Sequence, residues 1–156
     1  MNKPEFVYVT YIKTAPEKLW HALTDSDFTE RYWFGNRVTS DWTVGSTYRF
    51  AKQGKPGVEG KVLVSDPPKK LSYSWDLVKE GTYRERTSRV TFDLEPHGDV
   101  VKLTVPHDDL DEGGKTLRDI SGGWPLVMAS LKSLLETGRE LPHDLAAQAR
   151  KEQACA

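Results

Sequence analysis

Apolar and polar positions alternate with a period of two near the start of the chain, in EFVYVTYIK (Glu5 to Lys13). That run is dense in β-branched and aromatic residues and predicts a strand. Its faces are Phe6, Tyr8, Thr10, Ile12 and Val7, Val9, Tyr11, and either could be the buried one. The period then changes. In TAPEKLWHALTD, Leu19, Trp20 and Leu23 share one side of a helix, Thr14 and Glu17 have capping-box spacing, and Pro16 suits the first turn. A second short helix is expected over SDFTERYW, capped by Ser26 or Asp27.

From Val38 to His107 short alternating runs are separated by turn residues, as in an antiparallel meander. Five strands fit, around Thr47 to Lys52, Val58 to Ser65, Leu71 to Leu77, Arg86 to Leu94 and Val100 to Pro106. The first strand and a short piece near Arg37 to Ser40 bring the expected sheet to six or seven. An acidic loop, HDDLDEGG, follows. In SGGWPLVMASLKSLLETG, Trp124, Val127, Met128, Leu131, Leu134 and Leu135 recur at helical steps, and Gly138 is placed to end the helix. Gly122 and Gly123 read as allowing a tight turn into it or a close approach to the sheet, rather than as a phosphate site. Strands followed by one long amphipathic helix predict an α+β architecture, a curved antiparallel sheet gripping a long C-terminal helix.

Composition narrows the setting. With 156 residues one domain suffices, here residues 1–141, and a charged, frayed tail is expected over 142–156. The 22 basic and 23 acidic residues give a net charge of -1, which argues against nucleic acid or an anionic membrane as partner. Cys155 is the single cysteine, so an internal disulfide is excluded. A reducing, cytoplasmic location is the expectation. No leader-like N-terminal segment or bilayer-length apolar run is visible.

Strand parity then nominates a site. If the helix covers one face of the sheet, Tyr8, Tyr48, Phe50, Tyr73, Trp75 and Phe92 point toward it, opposite Trp124, Met128 and Leu131. Tyrosine and tryptophan carry a polar tip on a large apolar body, so this set could line a cavity for a small molecule or simply fill the space. Trp20 and Trp33 are placed to pack the two short helices against the end of the sheet, and Trp33 could also help close a pocket mouth. Arg86 shares the inward parity and could meet an anionic head group at the rim, or be solvent-exposed. His107, also inward, could bond a ligand or serve structure. HDDLDEGG is too short for a calcium loop and reads as solvated, so no metal and no cofactor are expected. No phosphate-cradling loop, zinc helix or nucleophile elbow is visible.

TAPEKLWHALTD, ERYW, VGSTYRF, GKVLVSDPPKKLSYSW, RVTFDLEPHGDVVKLTVPH and GGWPLVMASLKSLLE resemble, in order and spacing, the homologues of the activator of the ninety-kilodalton heat-shock chaperone's ATPase. These belong to the START-like, birch-pollen-allergen-like (SRPBCC) superfamily. The resemblance implies a helix-grip fold with a hydrophobic pocket between sheet and helix. Superfamily members include lipid, hormone and polyketide binders and some cyclases, so the fold leaves function open.

The leading expectation is a small binding protein that takes an apolar or amphipathic molecule in that pocket. A chaperone partner is the second. The eukaryotic co-chaperone carries an additional N-terminal domain for which this chain has no room, which weighs against ATPase activation. The third is a cyclase- or hydrolase-type enzyme using a pocket tyrosine, Arg86 or His107. An exposed edge strand would allow a homodimer.

Overall fold

The computed structural model describes residues 4–78 and 86–148. Its elements run β1 (Phe6–Ile12), α1 (Pro16–Thr24), α2 (Ser26–Tyr32), β2 (Asn36–Ser40), β3 (Thr47–Lys52), β4 (Lys55–Asp66), β5 (Lys70–Leu77), β6 (Ser88–His97), β7 (Val100–Asp108) and α3 (Lys115–Thr137). The strands form one antiparallel sheet in the order β1-β7-β6-β5-β4-β3-β2. Six strands follow one another as a meander, and β1 closes the far side by pairing with β7. This is the expected α+β helix-grip architecture, with α1 and α2 after the first strand and α3 across the curved sheet.

Parity decides what is buried. Ile12, Tyr48, Phe50, Val62, Leu71, Tyr73, Trp75, Val90, Phe92, Leu94, Val101, Leu103 and Val105 join α3 in one core. Their register neighbours Arg49, Lys61 and Arg89 point to solvent. On β1 the ambiguity resolves toward Phe6, Tyr8, Thr10 and Ile12 inside, with Val7, Val9 and Tyr11 exposed. Val64 is only partly buried, because a register shift between Val62 and Val64 breaks the alternation and bends the strand. At the β3–β4 hairpin Gln53 and Gly54 both adopt positive φ, the conformation a two-residue turn requires, so β4 starts at Lys55 and includes part of the expected separator.

Other boundaries and caps differ from the expectation as well. The N-cap of α1 is Ala15, without a side-chain bond, and Thr14 Oγ1 is buried with no partner among the described residues, so the capping box does not form. Asp25, rather than Ser26 or Asp27, caps α2: its carboxylate accepts from Asp27 N at 2.8 Å and Phe28 N at 3.3 Å. β6 begins at Ser88, so Arg86 lies ahead of the strand. Gly122 and Gly123 sit inside α3, which starts at Lys115 directly after Gly113 and Gly114. Pro125, also inside, cannot donate to the preceding turn. Residues 142–148, the first part of the expected tail, lie back on the body: Leu145 and Ala146 pack against the core, and the His143 ring meets Phe34. No described helix is long and apolar enough to cross a membrane.

Candidate functional site

Beneath α3 the inward aromatic residues meet one another. Tyr48 and Tyr73 have ring centroids 4.2 Å apart, Trp75 and Trp124 5.3 Å, Phe92 and Trp124 5.8 Å, Trp33 and Phe50 4.3 Å. Tyr48 donates its hydroxyl to the Ser74 carbonyl. Burial, before any nearby charge, pushes the Tyr48 and Tyr73 phenols well above their ordinary range, so both are neutral. Most of the space between sheet and helix is thus occupied by protein.

His107 sits fully buried on β7 in the same layer. The Trp124 indole N–H donates to His107 Nδ1 at 3.0 Å, and His107 Nε2 lies 2.8 Å from Ser88 Oγ. An indole nitrogen can only donate, so Nδ1 is the acceptor, and the neutral ring carries its proton on Nε2. Ser88 then receives that proton in its hydrogen bond and cannot give its own to His107, which rules out base activation of this serine in this tautomer. Burial pushes the His107 pKa down to about 4, with Asp108 opposing the shift.

Free volume collects instead beside the N-terminal half of α3. A cleft of about 530 Å³ is walled by Lys115, Asp119, Gly122, Gly123, Leu126 and Val127 of α3, by Trp33, Phe34 and Asn36, by Lys52 of β3, and by Ala146. A smaller, more apolar recess of about 110 Å³ shares Trp33, Asp119, Gly123 and Val127 with it and adds Trp75, Leu77, Ile120 and Trp124. Gly123 makes this opening: a Cβ built there would touch nothing within 4 Å. Two glycines inside a helix cost roughly 1 kcal/mol each relative to alanine, and the space they leave is the cleft. A hollow of about 870 Å³ over β2 to β5 has the opposite character, with Asp41, Arg49, Glu59, Lys61 and Asp76 on its walls and the Arg49–Glu59 ion pair at 3.3 Å.

The family described as Activator of Hsp90 ATPase homolog 1-like protein matches residues 13–136. The chain belongs to that family. Among solved structures, a protein from Mesorhizobium loti is 26% identical, covering 85% of this chain and 96% of its own, with a TM-score of 0.74. The Aha1 dimer from Colwellia psychrerythraea is 24% identical over 86% of this chain and 98% of its own, TM-score 0.72. An HSP90 activator from Plasmodium falciparum is 21% identical over 77% and 86%, TM-score 0.65. No curated protein is similar enough in sequence to match. The family and fold together support a ligand-binding or chaperone-associated module in general.

In this activator-homologue chain the nominated residues divide three ways. Trp33, Trp75 and Trp124 meet at the recess. Tyr48, Phe50, Tyr73, Phe92, His107, Met128 and Leu131 are buried in the core behind it, and Tyr8 packs at the core's edge, partly buried. Arg86 is exposed and tied to the acidic loop, with its backbone N–H on Asp111 at 2.8 Å and its guanidinium on Asp109 at 3.1 Å. Arg89 clamps Asp108 with two bonds, so acids of HDDLDEGG are held by arginines.

Sequence reasoning missed Asp119, Gly123, Leu126 and Lys52 as cleft walls. One signal was present: Leu117 and Ile120 continue the three- and four-residue steps of Trp124 upstream through the glycines. That continuity makes Gly122 and Gly123 helical, and glycine in an amphipathic helix face leaves a gap.

Proposed function

We propose that this family member is a binding module that takes an apolar or amphipathic small molecule in the cleft beside α3, with its apolar part against Trp33, Gly123 and Val127. The observation that carries the reading is the glycine-opened cleft with an aromatic recess behind it. Its volume falls in the range of ordinary ligand sites, about 300–1,000 Å³, and apolar walls with a few polar groups are their usual make-up. Lys52, Lys115 and Asp119 at the walls supply charge for an amphipathic ligand's polar end. Of the nominated residues, Trp33, Trp75 and Trp124 are the proposed contacts. The buried tyrosines, Phe50, Phe92, Met128 and Leu131 support the recess from behind, and Arg86 organises the acidic loop. The reading is non-enzymatic and needs no cofactor or metal. The single cysteine and near-zero net charge suit a cytoplasmic setting without nucleic acid or membrane as partner.

Thermal unfolding against fatty acids, sterols, flavonoids and aromatic polyketide-like compounds tests it. A ligand at about 100 times its Kd adds roughly 2.7 kcal/mol, a shift of several degrees. The shift should appear for one chemical class and vanish in Gly123→Leu, whose side chain fills the opening while the helix gains a better former. A shift that persists in that variant places binding elsewhere, and no shift with any class removes the reading. Association with the chaperone is the second reading, favoured by the family match. It requires stoichiometric binding to the purified chaperone and a stimulated ATPase rate.

A further inference from the structure

β1 is an edge strand with an unusual outer face. Val7, Val9 and Tyr11 are 51%, 47% and 52% exposed, and no charged residue interrupts them. Proteins ordinarily guard such edges with charge, proline or short length, because unpaired N–H and C=O groups are a template for another strand. The opposite edge is guarded: β2 has five residues, lies against α2, and its Val38 N–H is taken by Thr29 Oγ1 at 3.1 Å.

Two contacts fix which backbone groups of β1 face outward. Lys132 Nζ donates to the Tyr11 carbonyl at 2.6 Å, and Lys13 N donates to Glu136 Oε2 at 2.9 Å. In a strand every second residue turns its N–H and C=O to the same edge, so those of Val7 and Val9 point outward too.

We propose that β1 is a homodimerisation edge, pairing antiparallel with β1 of a second copy about a two-fold axis at Val9. The register comes from the chemistry of the strand. Reflected about Val9, Val7 falls opposite Tyr11, Phe6 opposite Ile12, Tyr8 opposite Thr10, and Glu5 opposite Lys13. Apolar residues on the outer face meet apolar residues, and each end closes with an opposite-charge pair. Directly opposed residues share a face in an antiparallel ladder, so both Val7–Tyr11 pairs and the central Val9 pair would form one apolar patch. A two-fold interface must be self-complementary, and this strand is. Shifting the pairing by two residues sets Glu5 against Tyr11 in one direction, or Val7 against Lys13 in the other, and loses both charge pairs. Pairing releases Lys132 from the Tyr11 carbonyl, to which the second copy's Val7 N–H then donates, and releases Lys13 N from Glu136 to donate to the second copy's Glu5 carbonyl. Lys132 keeps Glu136, 2.6 Å away.

Sedimentation velocity of the full chain over a concentration series tests this independently of any ligand. Wild type should show a reversible monomer–dimer equilibrium. Val9→Lys sets two like charges across the axis and should weaken dimerisation at least about tenfold. Glu5→Lys and Lys13→Glu should each weaken it about twofold to thirtyfold, and the double swap should restore it, because a cross-pair contribution of a few tenths to 1 kcal/mol occurs twice. Circular dichroism establishes that the exposed substitutions leave the fold intact. A wild type that stays monomeric at about 200 μM, where even a Kd near 0.1 mM would show dimer, overturns the proposal. A dimer indifferent to Val9→Lys overturns it as well, and one indifferent to the swaps overturns the register.

Discussion

Trp124 on α3 donates its indole N–H to His107 Nδ1 on β7 across 3.0 Å, a polar bond tying the long helix to the sheet inside an aromatic core. Trp75, whose ring lies 5.3 Å from that of Trp124, has its indole N–H buried with no hydrogen-bond partner among the described residues. Replacing either by phenylalanine removes similar ring volume, but only Trp124→Phe strands an acceptor. A buried polar group left unmatched costs about 1–3 kcal/mol. Trp124→Phe should therefore be less stable than Trp75→Phe by about that amount in urea unfolding. Equal losses would mean that the His107 bond contributes nothing beyond packing.

The same histidine sets a pH window. Its folded pKa lies near 4 and its unfolded value near 6.5, so between these the unfolded chain binds the extra proton and stability rises with pH. From pH 6.5 down to 4 the loss should reach about 3 kcal/mol, with no further contribution from this group below that. Glu136 acts lower: the Lys132 bond depresses its pKa, so its contribution is lost only as pH falls through the folded value. Denaturant titrations at pH 7, 5.5 and 4.5 on wild type and His107→Gln separate the two. The variant should lose markedly less over this range, and parallel curves would show that His107 does not titrate the fold.

Helix starts provide a third check. Asp25 satisfies two backbone N–H groups of α2, so Asp25→Ala should cost about 1 kcal/mol. Asp27, which the sequence offered as a cap, makes only an exposed ion pair with Arg37 at 2.9 Å. Asp27→Ala should cost less than about 0.5 kcal/mol. Reversal of that order in thermal unfolding would return the cap to Asp27.

Periodicity made the sheet, its meander order and the grip of α3 readable, because alternate burial along Tyr48, Phe50 and along Leu71, Tyr73, Trp75 leaves a repeating mark. The caps were less readable, since Asp25, Ser26 and Asp27 are all good caps and backbone geometry chooses among them. The candidate site was less readable. Strand parity nominated Trp75 and helical spacing Trp124, which line the recess together with Trp33, yet parity could not say that Tyr48 and Tyr73 would pack against each other and fill the space. A cavity is an absence of side chains, and the sequence marks it only through Gly122 and Gly123, residues that more often mean a turn.

Gly123 makes that point measurable. Its Cβ position is open and its backbone is helical, so Gly123→Ala should stabilise the protein by about 0.5–1 kcal/mol, raising Tm by about 1–4 °C. The added methyl narrows the cleft without closing it. Calorimetry on the free protein is the check, and a lowered Tm would mean that neighbouring side chains already occupy the space.

Gly60 should behave in the opposite way. It lies in β4 across from Tyr48, and a Cβ there would sit 2.5 Å from Ser74 Oγ and closer still to the Ser74 carbonyl oxygen. Two bonds depend on that approach, the Tyr48 hydroxyl to the Ser74 carbonyl and Lys61 N to Ser74 Oγ at 2.8 Å. Glycine in a strand interior ordinarily weakens it, so its presence here marks close contact. Gly60→Ala should cost about 2–4 kcal/mol, overpacking plus at least one broken hydrogen bond. Ser74→Ala removes the hydroxyl but leaves the carbonyl, so the double variant should recover part of the loss, a coupling of about 1 kcal/mol in a double-mutant cycle. Full recovery would assign the clash to the hydroxyl alone. No coupling would mean that β4 moves away from β5 as a whole, opening the floor beneath Tyr48 and Tyr73.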